Sequence, residues 1–203
     1  KKPSNISFEE AASIPVAGLT ALQEIRNHAE VETGQTVLIN GSSGGVGHLS
    51  VQIAKAMGAE VTAVCSSKNR EFVRELGADH VIAYDEQDIH SHNQTYDRVL
   101  DNHGNLKLAD FKRMINKNGR GVVVGFTTMG NMIGVMMGKN FSKVDIRTFT
   151  AQANKADLQT LAEMAEKGQI KPRLENIYPF NDLPDAIAYI EHMHTRGKVA
   201  VNL

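Results

Sequence analysis

Gly41, Gly44 and Gly47 fall at three-residue intervals in the run Asn40-Gly-Ser-Ser-Gly-Gly-Val-Gly47. The usual dinucleotide fingerprint holds its first two glycines one residue closer, and Ser42-Ser43 stretch that interval. Such a run offers anion binding. One glycine permits a tight turn, one lets the backbone approach a pyrophosphate, and one lets a helix pack closely on the preceding strand. The helix start then supplies free amides and a positive dipole end. A glycine-rich turn without a ligand is the alternative, but the surroundings favour the ligand. The residues before the turn, Thr36–Asn40, are a short apolar run, and Leu49, Ile53 and Met57 after it recur at helical spacing.

A second group of residues bears on which dinucleotide would bind. An NAD site usually presents Asp or Glu about 20 residues beyond the glycines, to hold the ribose 2′-hydroxyl. Here the chain reads Cys65-Ser-Ser-Lys-Asn-Arg70, with no carboxylate until Glu71. Two hydroxyls and two cations suit a 2′-phosphate, so the expected cofactor is NADP(H) rather than NAD(H). A solvated helix start would also accommodate Lys68 and Arg70, although cations at that end of a helix are unfavourable without an anion.

These residues need a scaffold, and the chain supplies strands alternating with helices. Apolar runs at 36–40, 61–65, 80–83, 96–100, 121–125 and 144–150 read as strands buried on both faces. Helical patterns at 47–57, 71–76 and 109–115 lie between them, closing near Gly58, Gly77 and Gly119. Before the first strand, Ser7-Phe-Glu-Glu10 is a capping box, with Pro15 expected to interrupt its helix before a second pattern from 18 to 27. After residue 150 the pattern is helical to Gly168, Lys171-Pro172 breaks it, and a last helix from Asn181 leads to a short strand at 198–201. Repeated strand–helix–strand units predict an α/β fold, a doubly wound parallel sheet with helices on both faces.

Composition removes other classes. Among 203 residues, 22 Lys+Arg against 23 Asp+Glu give a net charge of −1, so no bulk field recruits nucleic acid or an anionic membrane. No apolar run approaches the ~20 residues that span a bilayer. The single cysteine, Cys65, excludes an intrachain disulfide and a cysteine-based zinc site built from this chain, and reads as a small buried hydrophobe. The first residues show no apolar signal region, and a cytoplasmic location is the expectation.

Several strings together resemble the zinc-independent quinone oxidoreductase-like branch of the medium-chain dehydrogenase/reductase superfamily. They are Ala11-Ala-Ser-Ile-Pro15 with Gly18-Leu-Thr-Ala21, Val37 through Gly47, Leu76-Gly-Ala-Asp-His-Val-Ile82, Lys167-Gly-Gln-Ile-Lys-Pro172 and Arg196-Gly-Lys-Val-Ala-Val201. The resemblance implies a six-stranded Rossmann sheet in an NADP(H)-binding domain over 1–170. It also implies a closing segment, 171–203, that returns toward a GroES-like catalytic domain. Members carry that domain ahead of the point where this chain begins, so the resemblance implies a partial chain whose final strand lacks partners.

Carried over residue by residue, the resemblance puts Ser43, Gly44, Gly45 and Val46 at the pyrophosphate, and Ser66, Lys68 and Tyr84 around the 2′-phosphate. Asn102, Gly125 and Phe126 fall at the crevice for the nicotinamide ribose. Val16 stands where zinc-dependent relatives place a metal ligand, which implies hydride transfer without zinc. His90 with His92, and His192 with His194, have a spacing that points the rings apart on a helix. Asp101-Asn-His-Gly104 departs from the family's usual smaller residues. His103 is either a surface turn histidine or a proton donor, and no residue is assigned as the catalytic acid or base. Met129, Met132, Met136 and Met137 suit a pliable wall for a hydrophobic substrate, a subunit interface or core packing. The implied activity is NADPH-dependent reduction of a small hydrophobic acceptor, quinone-like or with an activated C=C bond, by a homodimer joined through the sixth strand. The competing reading is an NADP(H)-binding or sensing module without turnover.

Overall fold

Thr36–Asn40 forms β1, with Val37, Leu38 and Ile39 wholly removed from solvent. Side chains alternate across a strand, so Val37 and Ile39 enter one apolar cluster and Leu38 the other, on the opposite face. The computed structural model describes residues 1–138, 142–191 and 195–203. His192 and His194 lie outside the described residues.

The other strands are β2 (Glu60–Cys65), β3 (His80–Ala83), β4 (Tyr96–Asp101), β5 (Ile115–Val123) and β6 (Asp145–Thr148). They make one parallel sheet in the order β3-β2-β1-β4-β5-β6. On one face lie α1 (Phe8–Gln23), α2 (Gly47–Ala56) and α6 (Lys155–Glu166), contributing Ile14, Leu22, Leu49, Ile53 and Leu161 to the core. The short α3 (Arg70–Glu75) adds Val73 to that face. On the other lie α4 (Leu108–Met114) and α5 (Met129–Gly138), through Phe111, Met114 and Val135. This is the expected doubly wound α/β fold. The chain leaves β1 in one direction and returns to its other side at β4, so the strand order reverses between them and a crevice opens at their carboxyl ends.

Three expectations are corrected. Pro15 does not interrupt α1, which runs unbroken from Phe8 to Gln23. The Ser7–Glu10 capping box starts the helix, and its buried face is clamped on α6, where a Cβ at Gly18 would meet Leu161 at 3.1 Å. One lost backbone bond is outweighed by that packing. The final strand, β8 (Lys198–Asn202), does have a partner: it pairs in parallel with β7 (Leu174–Pro179). β7 escapes a sequence reading because Leu-Glu-Asn-Ile-Tyr-Pro neither alternates cleanly nor becomes buried. Core packing of the methionines is also wrong, for α5 buries only Val135 and leaves Met129, Met136 and Met137 exposed.

Beyond α1 the chain widens into a π-helical turn, Glu24–Ala29, which Glu30 closes in the left-handed region (φ 52°). It buries Glu24, Ile25 and Ala29 against the sheet. The last helix, α7 (Leu183–Glu191), sits beside β8.

Candidate functional site

The glycine turn after β1 gives each glycine a separate task. Gly41 leaves the strand at φ 78°, a conformation that suits a residue without a Cβ. Gly44 donates its amide to the Gly41 carbonyl (3.1 Å) and accepts from His48, closing the turn onto α2. A Cβ at Gly47 would overlap the Gly41 carbonyl oxygen and stand 2.7 Å from Ser42 Cα, so helix and strand meet this closely only over glycine. A Cβ at Gly45 would press on the Lys198 stem at 3.2 Å. Ser42 anchors the turn by donating both its amide and its hydroxyl to the Val64 carbonyl, at 3.1 and 2.8 Å.

A cleft of about 270 Å³ opens over this turn, lined by Val16, Ala17, Gly41, Gly44, Gly45, Val46, Gly47, Asn102 and Lys198. The structure thus brings Gly44, Gly45, Val46 and Asn102 together. Ser43 sits at the edge, its hydroxyl accepting from Asn69 (3.1 Å) and its carbonyl accepting the Gly197 amide (2.8 Å). Lys198 was not found from sequence as a site residue. It stands in the Arg196-Gly-Lys string, far along the chain, and only the pairing of β7 with β8 delivers it to the glycines.

Ser66, Lys68 and Tyr84 gather at the carboxyl ends of β2 and β3, apart from the cleft. The Ser66 hydroxyl is buried without a hydrogen-bond partner, Lys68 is exposed without an ion pair among the described residues, and Tyr84 is 51% exposed. Two neighbours are already engaged. Asp85 accepts from the Ser67 amide (2.7 Å) and hydroxyl (2.6 Å), bonds that hold its carboxyl below the ordinary range. Arg70 pairs with Glu86 at 2.6 Å. Sequence spacing, counted forward from the glycines, missed these carboxylates because they arrive from the next strand.

Gly125 and Phe126 do not line the glycine cleft. They border a separate hollow of about 460 Å³ with Met136, Thr148 and Phe149, at the ends of β5 and β6. They still touch the β4 turn, since a Cβ at Gly104 would overlap the Gly125 carbonyl and Thr127 donates its amide to Gly104 (3.1 Å). Asp101 fixes that turn. Its buried carboxylate accepts from Asn40 Nδ2 (2.7 Å) and from the amides of Gly104 (2.8 Å) and Leu106 (2.9 Å). His103 is exposed on the turn.

Two buried ionisable groups flank the cleft. Glu24, with no exposed surface, is pushed up to about 8 by burial. Its Oε2 accepts from Ser50 Oγ at 3.0 Å, and its carboxyl faces the Asn102 amide at 3.2 and 3.3 Å. His48 on α2 is pushed down to about 4 by burial, with Nδ1 donating to the Gly44 carbonyl (3.1 Å) and Nε2 unpartnered. The Cys65 thiol is raised to about 11 by burial, as befits a buried apolar position. His90 and His92 turn to different partners, Asp110 and Tyr96. Among the described residues no cluster of three or more His, Cys, Asp or Glu could hold a metal ion.

A parallel sheet with a glycine turn at its switch point, opening a helix, defines a dinucleotide-binding Rossmann domain. The family profile described as "Zinc-binding dehydrogenase" matches residues 76–201, and the chain belongs to that family, within the medium-chain dehydrogenase/reductase superfamily. It is 34% identical to the human "NAD(P)H oxidoreductase RTN4IP1, mitochondrial", covering 100% of this chain and 57% of the relative. It is 34% identical to the "NADPH-dependent alkenal/one oxidoreductase, chloroplastic" of Arabidopsis thaliana, covering 98% and 48%. Among solved structures it superposes on the quinone oxidoreductase from Coxiella burnetii with TM-score 0.88 at 32% identity, covering 100% of this chain and 63% of the other. The chain therefore spans about half the length of the curated relatives it matches.

The expected cytoplasmic location is overturned. The relatives carry names that place them in mitochondria or chloroplasts, which points to an organelle. No helix among the described residues is long and apolar enough to cross a membrane.

Proposed function

We propose that the chain is the cofactor-binding part of an NADPH-dependent oxidoreductase that passes hydride, without zinc, to a quinone-like or activated C=C acceptor. The observation that carries this reading is the cleft itself, where a glycine cradle, the start of α2 and the Lys198 ammonium converge. Each donor present suits a bridging pyrophosphate: turn amides, a helix N-terminus and one cation. The residues therefore fit a dinucleotide, and the nicotinamide ring supplies the hydride when bound. This chain's own residues bind and orient. Ser43 to Val46 and Lys198 hold the phosphates, Asn102 forms the wall toward the nicotinamide ribose, and Gly125-Phe126 continues the crevice edge.

For NADPH over NADH the support is Ser66, Lys68 and Tyr84, which leave a buried hydroxyl, an unpaired cation and a phenol at the adenosine end. Among the described residues Lys68 has no ion pair, whereas Arg70 is held by Glu86. For chemistry without zinc the support is Val16, which lines the cleft, is 79% exposed and has no ligating atom. The acceptor class rests on the names of relatives, and the exposed methionines of α5 supply one apolar wall. Residues 171–203 act as the closing segment of the 1–170 domain, tied back through Gln52 with Lys171 (2.7 and 3.1 Å) and Arg173 with Glu75. β6 pairs on one side only and is the edge through which a homodimer would form.

Calorimetric titration with NADPH and NADH tests the reading. Selective binding of NADPH, with Lys68→Ala weakening NADPH about tenfold and NADH little, is the expected result for loss of a charge-assisted contact. Equal losses for both cofactors would remove the 2′-phosphate assignment, and no binding of either would remove the cofactor reading.

A further inference from the structure

Glu24 is the one fully buried acid among the described residues that fastens no turn and pairs with no cation. It sits where α1 gives way to the π-helical turn, behind the cleft wall and not in it. Three side chains form a closed set: Ser50 Oγ lies 3.0 Å from Glu24 Oε2 and 3.2 Å from the Asn102 amide, and that amide lies 3.2 and 3.3 Å from the two Glu24 oxygens. Asn102 is the member that also lines the cofactor cleft.

A neutral ring can run in either sense over these distances, each leaving one Asn102 N–H over, and it contrasts with the ionised arrangement. In one sense, the hydroxyl of protonated Glu24 donates to Asn102 Oδ1, Asn102 Nδ2 donates to Ser50 Oγ, and Ser50 donates to the other Glu24 oxygen. Every bond in the ring is then made, and one N–H of Asn102 remains. With Glu24 ionised, the Asn102 amide spends its N–H groups on the carboxylate. The neutral ring leaves a donor for a ligand rich in oxygen acceptors. The ionised arrangement removes that donor and places a negative charge behind a cleft built for phosphates.

We propose that Glu24 is a positioning residue for the cofactor cleft, its protonated carboxyl closing a ring with Ser50 and Asn102 that leaves one Asn102 N–H for the dinucleotide. This rests on the cleft binding a dinucleotide, as proposed above. Burial of Glu24 places its titration near 8, where the two arrangements exchange. Other charged or titratable groups face this region. Asp101 on β4 is spent on Asn40, Gly104 and Leu106, and His48 on α2 titrates near 4, below this window. His103 on the β4 turn is exposed, and Lys198 on β8 lines the cleft.

The test is calorimetric titration of the whole chain with NADPH from pH 6.5 to 9.5, in two buffers of different ionisation enthalpy. For the native sequence the dissociation constant is expected to rise above about pH 8, approaching tenfold per pH unit, with net proton uptake on binding. Glu24→Gln keeps the neutral ring, because its amide donates to Asn102 and its carbonyl accepts from Ser50. It should bind as tightly as the native chain at pH 6.5, with the rise and the proton uptake gone. Ser50→Ala, a small change that opens the ring, should weaken binding severalfold at pH 6.5. A native profile that is flat, or a Glu24→Gln profile that still rises, overturns the proposal while leaving cofactor binding standing. Absence of binding at every pH overturns both.

Discussion

Replacing Glu24 by Gln should make the protein more stable at neutral pH, by an amount that grows with pH. In the folded chain Glu24 keeps its proton up to about 8, while in the unfolded chain it loses it near the ordinary 4.5. Between those values the folded state holds one more proton than the unfolded state, so unfolding becomes easier as pH rises. The slope is about 1.4 kcal/mol per pH unit for a single proton, and across the window it accumulates to roughly 4–5 kcal/mol. Below about pH 4.5 both states are protonated and the group contributes nothing to the difference. Urea unfolding of native and Glu24→Gln chains at a series of pH values isolates this effect, because every other group titrates in both. The variant's advantage should grow by about 3 kcal/mol from pH 5 to 7.5 and level off above 8. A constant difference between the two chains would mean that Glu24 is ionised in the fold, and the argument from burial would fail.

Gly47→Ala would drive a methyl group into the Gly41 carbonyl, and should cost about 1–3 kcal/mol in urea unfolding while abolishing measurable cofactor binding. Lys198→Ala should weaken NADPH and NADH by the same factor, about tenfold by calorimetry, because the pyrophosphate is common to both. Loss of one cofactor alone would place Lys198 elsewhere. His48, lowered to about 4 by burial, gives the opposite pH limb to Glu24. Its proton enters the unfolded chain near 6.5 and the folded one near 4, so stability falls as pH drops across that window, by up to roughly 3 kcal/mol. His48→Gln should flatten that limb in acid unfolding curves.

The central strands were legible because burial on both faces demands unbroken apolar runs: Val37-Leu-Ile39 and Val61 to Cys65 admit no other reading. The glycine turn was legible because its spacing, strand and helix lie within twenty residues of each other. Elements stabilised by contacts elsewhere were not. Pro15 reads locally as a break, and only Leu161 on α6 shows why the helix survives it. β7 exists because β8 pairs with it, a fact absent from its own six residues. Lys198 and the Asp85–Ser67 contact reach the site through tertiary arrangement, so no count forward from the glycines finds them. Glu24 left one faint trace. It follows Ala17 and Ala21 at helical spacing on a face that is otherwise small and apolar, a charged residue where a buried one belongs.

The bond from Gly197 to the Ser43 carbonyl, with Lys198 laid against Gly45, also has a consequence in time. The glycine turn leaves the ribosome before its cation, which follows about 150 residues later, a delay of roughly 8–30 s at ordinary rates of synthesis. The sheet from β1 to β6 can pair during that interval, since all six strands are complete by Thr148. The cleft cannot be completed until the last strand pair docks. A nascent chain therefore passes through a stage in which the sheet is present and the binding site is not, and nucleotide can reward folding only once β8 has docked.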